Sequence, residues 1–276
     1  MKKILSMLLV LCMALTLCSA AFAEGKSPVD GMTVAFIPKV SGNSFFEAAN
    51  DGAQKYAKEW GLTVDYIGAP TADVTTQLEL IQQAIDKGVD AICISSVDAT
   101  GLDEKLQEAQ DAGIYVSTWD SDVSPNARAL MVSQGTADVL GPMLVEMAVD
   151  SLKERGVDVN GEVKYVWHFS NPSVSDQNSW YVAGDAYIKE KYPTWVAVHD
   201  PYYSNQDPAQ SVSVGESILD AYADVDAIIC NDSTALPGQC KAAENKGLTA
   251  KDITITGWQP GGNYEGTITE KEQERQ

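Results

Sequence analysis

The sequence predicts an α/β fold made of two Rossmann-like lobes, with parallel sheets and a ligand cleft between the lobes. Short β-branched or apolar runs alternate with amphipathic stretches, several of the runs are apolar on both faces, and four of them lead into polar residues. Alternating strands and helices are typical of parallel sheets with right-handed crossovers. Strands that lack apolar–polar alternation are typical of sheets buried on both faces.

The predicted strands are short runs rich in β-branched residues. In chain order they cover residues 33–37, 63–67, 91–95, 115–119, 127–133, 163–169, 195–199, 227–229 and 253–257. The intervening stretches carry apolar residues at helical spacing, and four of them reach a glycine, a common residue just beyond a helix end. Ser44 and Glu47 have the spacing of a capping box at the start of the first helix.

One irregularity predicts the boundary between the lobes. The strand at 127–133 follows the strand at 115–119 after a polar turn, with no helix between them. We therefore expect a first lobe at 24–133 and a second lobe at 134–258. The tail at 259–276 ends in a wholly polar run without a helix that could return to the first lobe. We accordingly expect a shortened chain that leaves part of the first lobe uncovered.

The first residues predict the compartment. Lys2 and Lys3 precede an apolar run, and Ala21-Phe22-Ala23 has the pattern of a cleavage site, so residues 1–23 are interpreted as a signal peptide. We expect a periplasmic or extracytoplasmic protein, and the residues before Cys12 and Cys18 disfavour a lipid anchor. The net charge of −20 argues against nucleic acid and anionic membranes as partners.

Polar residues that follow the predicted strands form the candidate binding site. Ligands of α/β sheets bind at the carboxyl ends of strands, where side chains from neighbouring strands converge. The candidates supply a cation, carboxylates and amides, which suit a small polyhydroxylated ligand, and no catalytic nucleophile stands beside them. They are Lys39, Asp120, Asp176, Gln177, Asn231, Asp232 and Ser233.

Three further candidates lie at the start of the first helix. Phe45 and Phe46 are expected to divide into one core residue and one that stacks on the apolar face of a sugar. Asn43 directly precedes them. Trp119 could also stack on a ligand, and a core position is equally compatible with its sequence context.

Structural roles compete with binding at several of these positions. Asp120 could accept from a ligand or cap a turn, because a charge that ends an apolar strand needs a partner. Asp176 and Gln177 stand at a predicted helix start, where Asp is a common N-cap. A lysine such as Lys39 is more often solvated, and its place at the end of a strand is the sequence feature that favours a binding role.

Catalytic and metal-binding interpretations find little support. The chain has no GxGxxG after a strand, no GxxxxGK[ST] and no GxSxG. A calcium loop starting at Asp120 would place Pro125 and Met131 where glycine and glutamate are needed. After the signal peptide, three cysteines remain without CxxC spacing, which argues against zinc and against a disulfide framework. We expect neither a cofactor nor a metal, and paired carboxylates for glycoside cleavage are a weaker alternative to capture.

Residues 32–258 resemble the sugar-type periplasmic binding proteins of ABC transporters, and among them the autoinducer-2 receptors of the Lsr type. The resemblance rests on Phe36-Ile37-Pro38-Lys39, Phe45-Phe46, Thr118-Trp119-Asp120-Ser121-Asp122, Gln134-Gly135-Thr136, Pro172-Ser173-Val174-Ser175-Asp176-Gln177-Asn178-Ser179-Trp180, Asp226-Ala227-Ile228-Ile229 and Ala235-Leu236-Pro237.

The resemblance implies a monomer that captures a ligand and delivers it to a membrane permease. It also implies six ligand-contacting positions, of which the first four match the family in residue type: Lys39, Asp120, Asp176, Gln177, Asn231 and Ser233. Well-known family members look to have Pro and Ala where this chain has Asn231 and Ser233. The implied ligand is autoinducer-2, with a pentose or deoxyhexose such as ribose or rhamnose as the alternative.

Overall fold

The computed structural model describes residues 27–257. The expected signal peptide and the polar tail at 259–276 lie outside this part of the chain. The strands are β1 (Thr33–Ile37), β2 (Thr63–Tyr66), β3 (Ala91–Ile94), β4 (Tyr115–Trp119), β5 (Leu130–Val132), β6 (Lys164–Phe169), β7 (Val196–Ala197), β8 (Tyr202–Tyr203), β9 (Ala227–Cys230) and β10 (Thr254–Gly257). The helices are α1 (Ser44–Trp60), α2 (Val74–Lys87), α3 (Asp103–Asp111), α4 (Ala137–Glu154), α5 (Ser175–Lys191), α6 (Pro208–Ala221) and α7 (Ala235–Asn245).

The strands form two parallel sheets, as the sequence predicts. The first has the order β2-β1-β3-β4-β5, and the second has the order β10-β9-β6-β7 with β8 also paired to β6. We call each sheet with its helices a lobe. The predicted boundary near residue 133 falls between β5, the last strand of the first sheet, and α4, which packs on the second sheet.

The core of the first lobe lies between its sheet and the helices α2 and α3. Ile37, Ile92 and Val116 come from three strands of the sheet and pack with Ile81 and Leu106 from the helices. On the opposite face, α1 packs near β2, where the Gln54 amide donates to the Val64 carbonyl. Helices thus lie on both faces of the sheet, while Leu130 and Val132 of the edge strand β5 are exposed.

The second sheet shows the period-two pattern of a buried strand directly. In β6, Tyr165, Trp167 and Phe169 pack into one core cluster with α4 and α5, whereas Val166 packs into another with α6 and α7. Successive side chains of a strand point to opposite faces. This is why β6 is apolar at consecutive positions rather than at alternate ones.

One local expectation was wrong, and one short strand was not predicted. The first helix has Asn43 as its N-cap, whose side chain accepts from the Phe45 N–H, and Glu47 reaches back to the Gly42 N–H. The capping pattern is therefore displaced from the predicted Ser44. The short strand β8 was also missed, because two tyrosines carry too little periodic signal to mark a strand.

Helices α4 and α5 approach each other closely through glycine. A Cβ added at Gly141 would lie 2.6 Å from the Gly184 backbone nitrogen and from the Trp180 carbonyl oxygen. At Gly52 in α1, an added Cβ would meet no atom within 4 Å. Among residues 27–257, no helix combines the length and the apolar character needed to cross a membrane.

We expect Gly141→Ala to lower the free energy of unfolding by about 1–3 kcal/mol, because the added methyl group meets backbone atoms that cannot rotate away. Gly52→Ala is the matched control and should raise stability by up to about 1 kcal/mol through helix propensity. Denaturant unfolding of the two variants measures both effects. Equal stability of the two variants would contradict the close approach of α4 and α5.

Candidate ligand-binding cleft

The first lobe presents three polar side chains at one end of its sheet. Lys39, Ser95 and Asp120 come just after β1, β3 and β4, which are neighbours in the sheet. Because parallel strands have their carboxyl ends at the same edge, the three side chains converge. Ser95 Oγ donates to Asp120 Oδ2 over 2.6 Å, and Lys39 Nζ lies 2.9 Å from the same oxygen.

The second lobe contributes residues that follow its own strands. Asp176 and Gln177 lie in the first turn of α5 after β6, Gln206 follows β8, and Asn231 follows β9. All four are buried. The Gln177 side chain accepts from the Ser170 N–H, and the Asn231 amide donates to the Gln177 carbonyl over 2.7 Å. The carboxyl ends of both sheets thus face one cleft.

Lys39 joins the two lobes electrostatically. Its ammonium lies 3.6 Å from Asp176 Oδ1 and donates to Ser121 Oγ over 2.5 Å. The Ser121 hydroxyl in turn donates to Asp176. The cation, only 3% exposed, is therefore shared by Asp120 from its own lobe and Asp176 from the other.

Burial and charge shift the pKa values of this cluster. Burial alone would lower the pKa of the Lys39 ammonium, but attraction to Asp120 and Asp176 raises it above its ordinary value. Burial raises the pKa of the Asp176 carboxyl to about 6, against the opposing effect of Lys39. Burial also raises the pKa of Asp232. The cluster therefore holds a charged lysine near two carboxyl groups, those of Asp176 and Asp232, whose ionisation is opposed by burial.

Backbone conformation aims two polar side chains into the cleft. Asp120 has φ of 62° and Gln206 has φ of 56°, values that L-residues adopt rarely. Such conformations cost about 1–3 kcal/mol each and concentrate at binding sites, where the surrounding structure maintains them. At Asp120, hydrogen bonds from Ser95 and Gln134 secure the carboxylate.

The pocket between the lobes contains five buried side-chain oxygens that have no hydrogen-bond partner among residues 27–257. They belong to Gln134, Asp176, Gln206, Asn231 and Asp232. The Asn231 amide orientation follows from its donation to a carbonyl, which leaves the oxygen as the unpaired atom. Unpaired buried acceptors cost about 1–3 kcal/mol each. A ligand that supplies hydrogen-bond donors would remove this cost.

Nine of the ten sequence candidates line this pocket. They are Lys39, Phe45, Phe46, Asp120, Asp176, Gln177, Asn231, Asp232 and Ser233. Phe46 is buried and Phe45 is partly exposed, and both rings line the pocket. Their role in binding a ligand stays a prediction.

Asn43 does not line the pocket. It lines a neighbouring cavity, caps α1 and donates to Ser233 and Thr234 across the cleft. Trp119 also lies outside the pocket lining and stacks on Phe36, with ring centroids 4.7 Å apart.

The competing structural roles separate in the structure. Asp176 is not an N-cap: α5 has Val174 at that position, without a side-chain capping bond. Asp232 has a capping role, since its Oδ1 accepts from the Thr234 and Ala235 N–H groups, while its Oδ2 stays unpaired. Lys39 is buried and paired rather than solvated.

Three pocket residues were not among the candidates predicted from the sequence. Gln134 follows β5 and donates to Asp120, Trp180 lies in α5, and Gln206 follows β8. The position of Gln134 after a strand was an available signal. Gln206 had none, because the strand before it has two residues.

Other reactive side chains lie outside the cleft lining. His168 is fully buried and hydrogen-bonded to Gln239, and burial lowers its pKa to about 4. In the part of the chain that the structure describes, Cys93, Cys230 and Cys240 form no disulfide. Within residues 27–257, no group of three or more His, Cys, Asp or Glu side chains is arranged to hold a metal ion.

Two sheets whose carboxyl ends enclose a polar pocket define a two-lobed ligand-binding protein. A family model described as periplasmic binding protein domain matches residues 34–270. The chain therefore belongs to the periplasmic binding protein family, and the predicted resemblance is confirmed. The matched region extends into the tail for which the sequence predicted no family counterpart.

Solved structures and characterised relatives agree with this assignment. LsrB from Clostridium saccharobutylicum, solved in complex with AI-2, is 60% identical with a TM-score of 0.82, over 82% of this chain and 70% of that one. The ribose import binding protein RbsB of Bacillus subtilis is 24% identical over 94% of this chain and 81% of its own. A D-ribose/D-allose-binding protein of Pseudomonas aeruginosa is 30% identical over 45% of this chain, which spans 41% of that relative.

We expect Lys39→Met to lower the free energy of unfolding by about 3–5 kcal/mol, because it leaves Asp120 and Asp176 buried without their counter-charge. Lys241→Met is the control: its exposed ammonium pairs with Glu244 at the surface, where a pair contributes at most about 1 kcal/mol. Denaturant unfolding at neutral pH compares them. A loss at Lys39 no larger than that at Lys241 would contradict the buried cluster.

The stability of the protein should also depend on the protonation of Asp176. Its pKa is about 6 in the folded protein and about 4 in an unfolded chain. Between these pH values the folded state binds the proton more strongly than the unfolded chain does. The protonated Asp176 carboxyl therefore makes its full contribution to the free energy of unfolding below about pH 4, and this contribution is lost as the pH rises to about 6.

The control is Asp176→Asn, which does not titrate. The difference in unfolding free energy, wild type minus variant, should fall as the pH rises from about 4 to 6, by at most about 1.4 kcal/mol per unit. Denaturant unfolding at several pH values measures it. A difference that stays constant or rises would contradict the raised pKa.

Proposed function

We propose that this protein captures a small, neutral, polyhydroxylated ligand outside the cytoplasm and delivers it to the membrane permease of an ABC transporter. The observation that carries the proposal is the set of five unpaired oxygens that line one pocket. Each can accept a hydrogen bond from a ligand hydroxyl. The phenyl ring of Phe45 and the indole of Trp180 supply apolar surface for the carbon face of a ring.

The charge of the pocket favours a neutral ligand. Among residues 27–257, Lys39 is the only cationic residue that lines the pocket, whereas Asp120, Asp176 and Asp232 line it with carboxyl groups. A phosphate or carboxylate ligand would meet like charges in a buried setting, which is costly. Hydroxyl groups can donate to these carboxylates without adding charge. Relatives that are named as binding proteins support capture rather than catalysis.

The proposed ligand is autoinducer-2. The support is the 60% identity with an LsrB solved in complex with AI-2, and the presence of Lys39, Asp120, Asp176 and Gln177 in one pocket. A pentose is the alternative. Asn231 favours it, because its unpaired amide oxygen adds an acceptor at a position where the sequence resemblance implies proline.

Binding is expected to proceed by opening and closing of the lobes. The space left between the pocket side chains is about 20 Å³, close to the room for a single water molecule. A sugar can enter only when the lobes separate, and the direct contacts of Asp176 with Lys39 and Ser121 must then rearrange around it. Hinge closure around a ligand is a common transition of two-lobed binding proteins.

Calorimetric titration with autoinducer-2, ribose and rhamnose tests the proposal. We expect autoinducer-2 to bind most tightly and Asp176→Ala to weaken it at least tenfold, because ligand hydroxyls lose a buried acceptor. Asp220→Ala is the control, since Asp220 forms an exposed pair with Lys246 far from the pocket lining. Tighter binding of ribose would favour the pentose alternative, and no heat with any of the three would refute capture of a sugar-like ligand.

A further inference from the structure

A further polar contact joins the lobes at the edge of the ligand pocket. Asn43 Nδ2 of the first lobe lies 3.1 Å from Ser233 Oγ and 3.2 Å from Thr234 Oγ1 of the second. We call these three residues the mouth contact. Its elements differ from those of the deeper contacts, in which Ser121 and Asp122 after β4 meet the first residues of α5.

The mouth contact stands between two cavities. The inner one is the ligand pocket, and the outer one has a volume of about 380 Å³, far larger than the space left inside. Gln206 and Ser233 line both cavities, whereas Asn43 and Thr234 line the outer one. The outer cavity is bounded by residues of both lobes, including Val40 and Pro208. The two cavities therefore adjoin at Gln206 and at Ser233, and Ser233 belongs to the mouth contact.

The hydrogen-bonding groups of Asn43 are already used within the protein. Its amide nitrogen donates to the two hydroxyls across the cleft, and its oxygen accepts from the Phe45 N–H as the cap of α1. None of the five unpaired oxygens belongs to these residues. The mouth contact is thus satisfied in the closed protein without any ligand, which separates it from the acceptors that a ligand would engage.

Both ends of the mouth contact are held by helix starts. Asn43 is the N-cap of α1, and Thr234 directly precedes α7, with its N–H bound by Asp232. Side chains held in this way lose little further conformational freedom when the lobes meet. The contact therefore stabilises the closed arrangement specifically and is lost when the lobes separate.

We propose that the mouth contact of Asn43 with Ser233 and Thr234 is a latch that sets how long the closed protein retains its ligand, and that it does not select the ligand. The inference rests on the proposed capture function and assigns Ser233 to closure in place of the ligand contact expected from the sequence. Breaking the contact should accelerate opening and release. Association, which begins from the open protein, should change little.

Two sets of substitutions break the contact from opposite sides. Asn43→Ser shortens the side chain, so that it no longer reaches across the cleft, while serine still serves as an N-cap for α1. Ser233→Ala combined with Thr234→Val removes both hydroxyls of the second lobe. Ser41→Ala is the control, because Ser41 lines the same outer cavity and is not part of the mouth contact.

Stopped-flow measurement of ligand release decides between outcomes. Each set should raise the dissociation rate about two- to tenfold, which is the effect of losing one or two net hydrogen bonds. The combination of the two sets should raise the rate no further, because both sets break the same contact. The ranking of autoinducer-2, ribose and rhamnose should stay unchanged. Effects that multiply when combined, a changed ranking, or an equal acceleration by Ser41→Ala would overturn the proposal.

A readout without ligand keeps this test separate from the capture function. Small-angle X-ray scattering of the ligand-free protein should give a larger radius of gyration for Asn43→Ser than for wild type and Ser41→Ala, because the closed population falls. If no sugar binds, the capture function fails while this measurement still tests the latch. An unchanged radius together with unchanged release would refute the latch, even where sugars bind.

Discussion

The buried ammonium of Lys39 is shared by carboxylates from both lobes, and the rest of the cleft is arranged around it. A lone buried charge would cost several kcal/mol, and so would Asp120 and Asp176 without their cation. When the cleft closes, the Lys39 ammonium of the first lobe and the Asp176 carboxylate of the second lobe therefore balance each other's charge. Three uncharged side chains complete the cluster with hydrogen bonds to its charged groups, namely Ser95, Ser121 and Gln134. They fix the geometry of the cluster without adding charge.

The same cluster explains how closure and binding can be coupled. In the closed protein Asp176 is bonded to Ser121 and lies near Lys39, yet one of its oxygens stays unpaired. Together with the amide oxygens of Gln134, Gln206 and Asn231 it forms a surface that only hydrogen-bond donors can satisfy. Closure without ligand leaves these costs in place. A polyol removes them, so the closed state gains stability from the ligand in proportion to the donors it supplies.

Helix starts carry both local and long-range roles in this cleft. Asp232 caps the backbone before α7 with one oxygen and faces the pocket with the other. Asn43 caps α1 and reaches the opposite lobe with its amide nitrogen. The first turns of helices lie beside the carboxyl ends of parallel strands, so a residue that ends one element and begins the next stands at the cleft by topology. Local capping and contact across the cleft are therefore compatible in one side chain.

The sequence by itself determined the alternation of strands and helices, because buried parallel strands and amphipathic helices leave distinct periodicities. It also predicted that Lys39 and Asp120 follow strands at the cleft, with a solvated lysine and a turn cap as the alternatives for these two residues. Only the tertiary structure decided which second-lobe groups meet them. Asp176 fits a helix cap equally well in sequence, and Gln206 follows a strand too short to detect. Asn231 has an unpaired oxygen in the pocket, whereas Asn43 is hydrogen-bonded to the opposite lobe. These different roles depend on distances between residues about 190 positions apart in the sequence. Such distances leave no periodic trace in the chain, because they are set by how the two finished lobes pack.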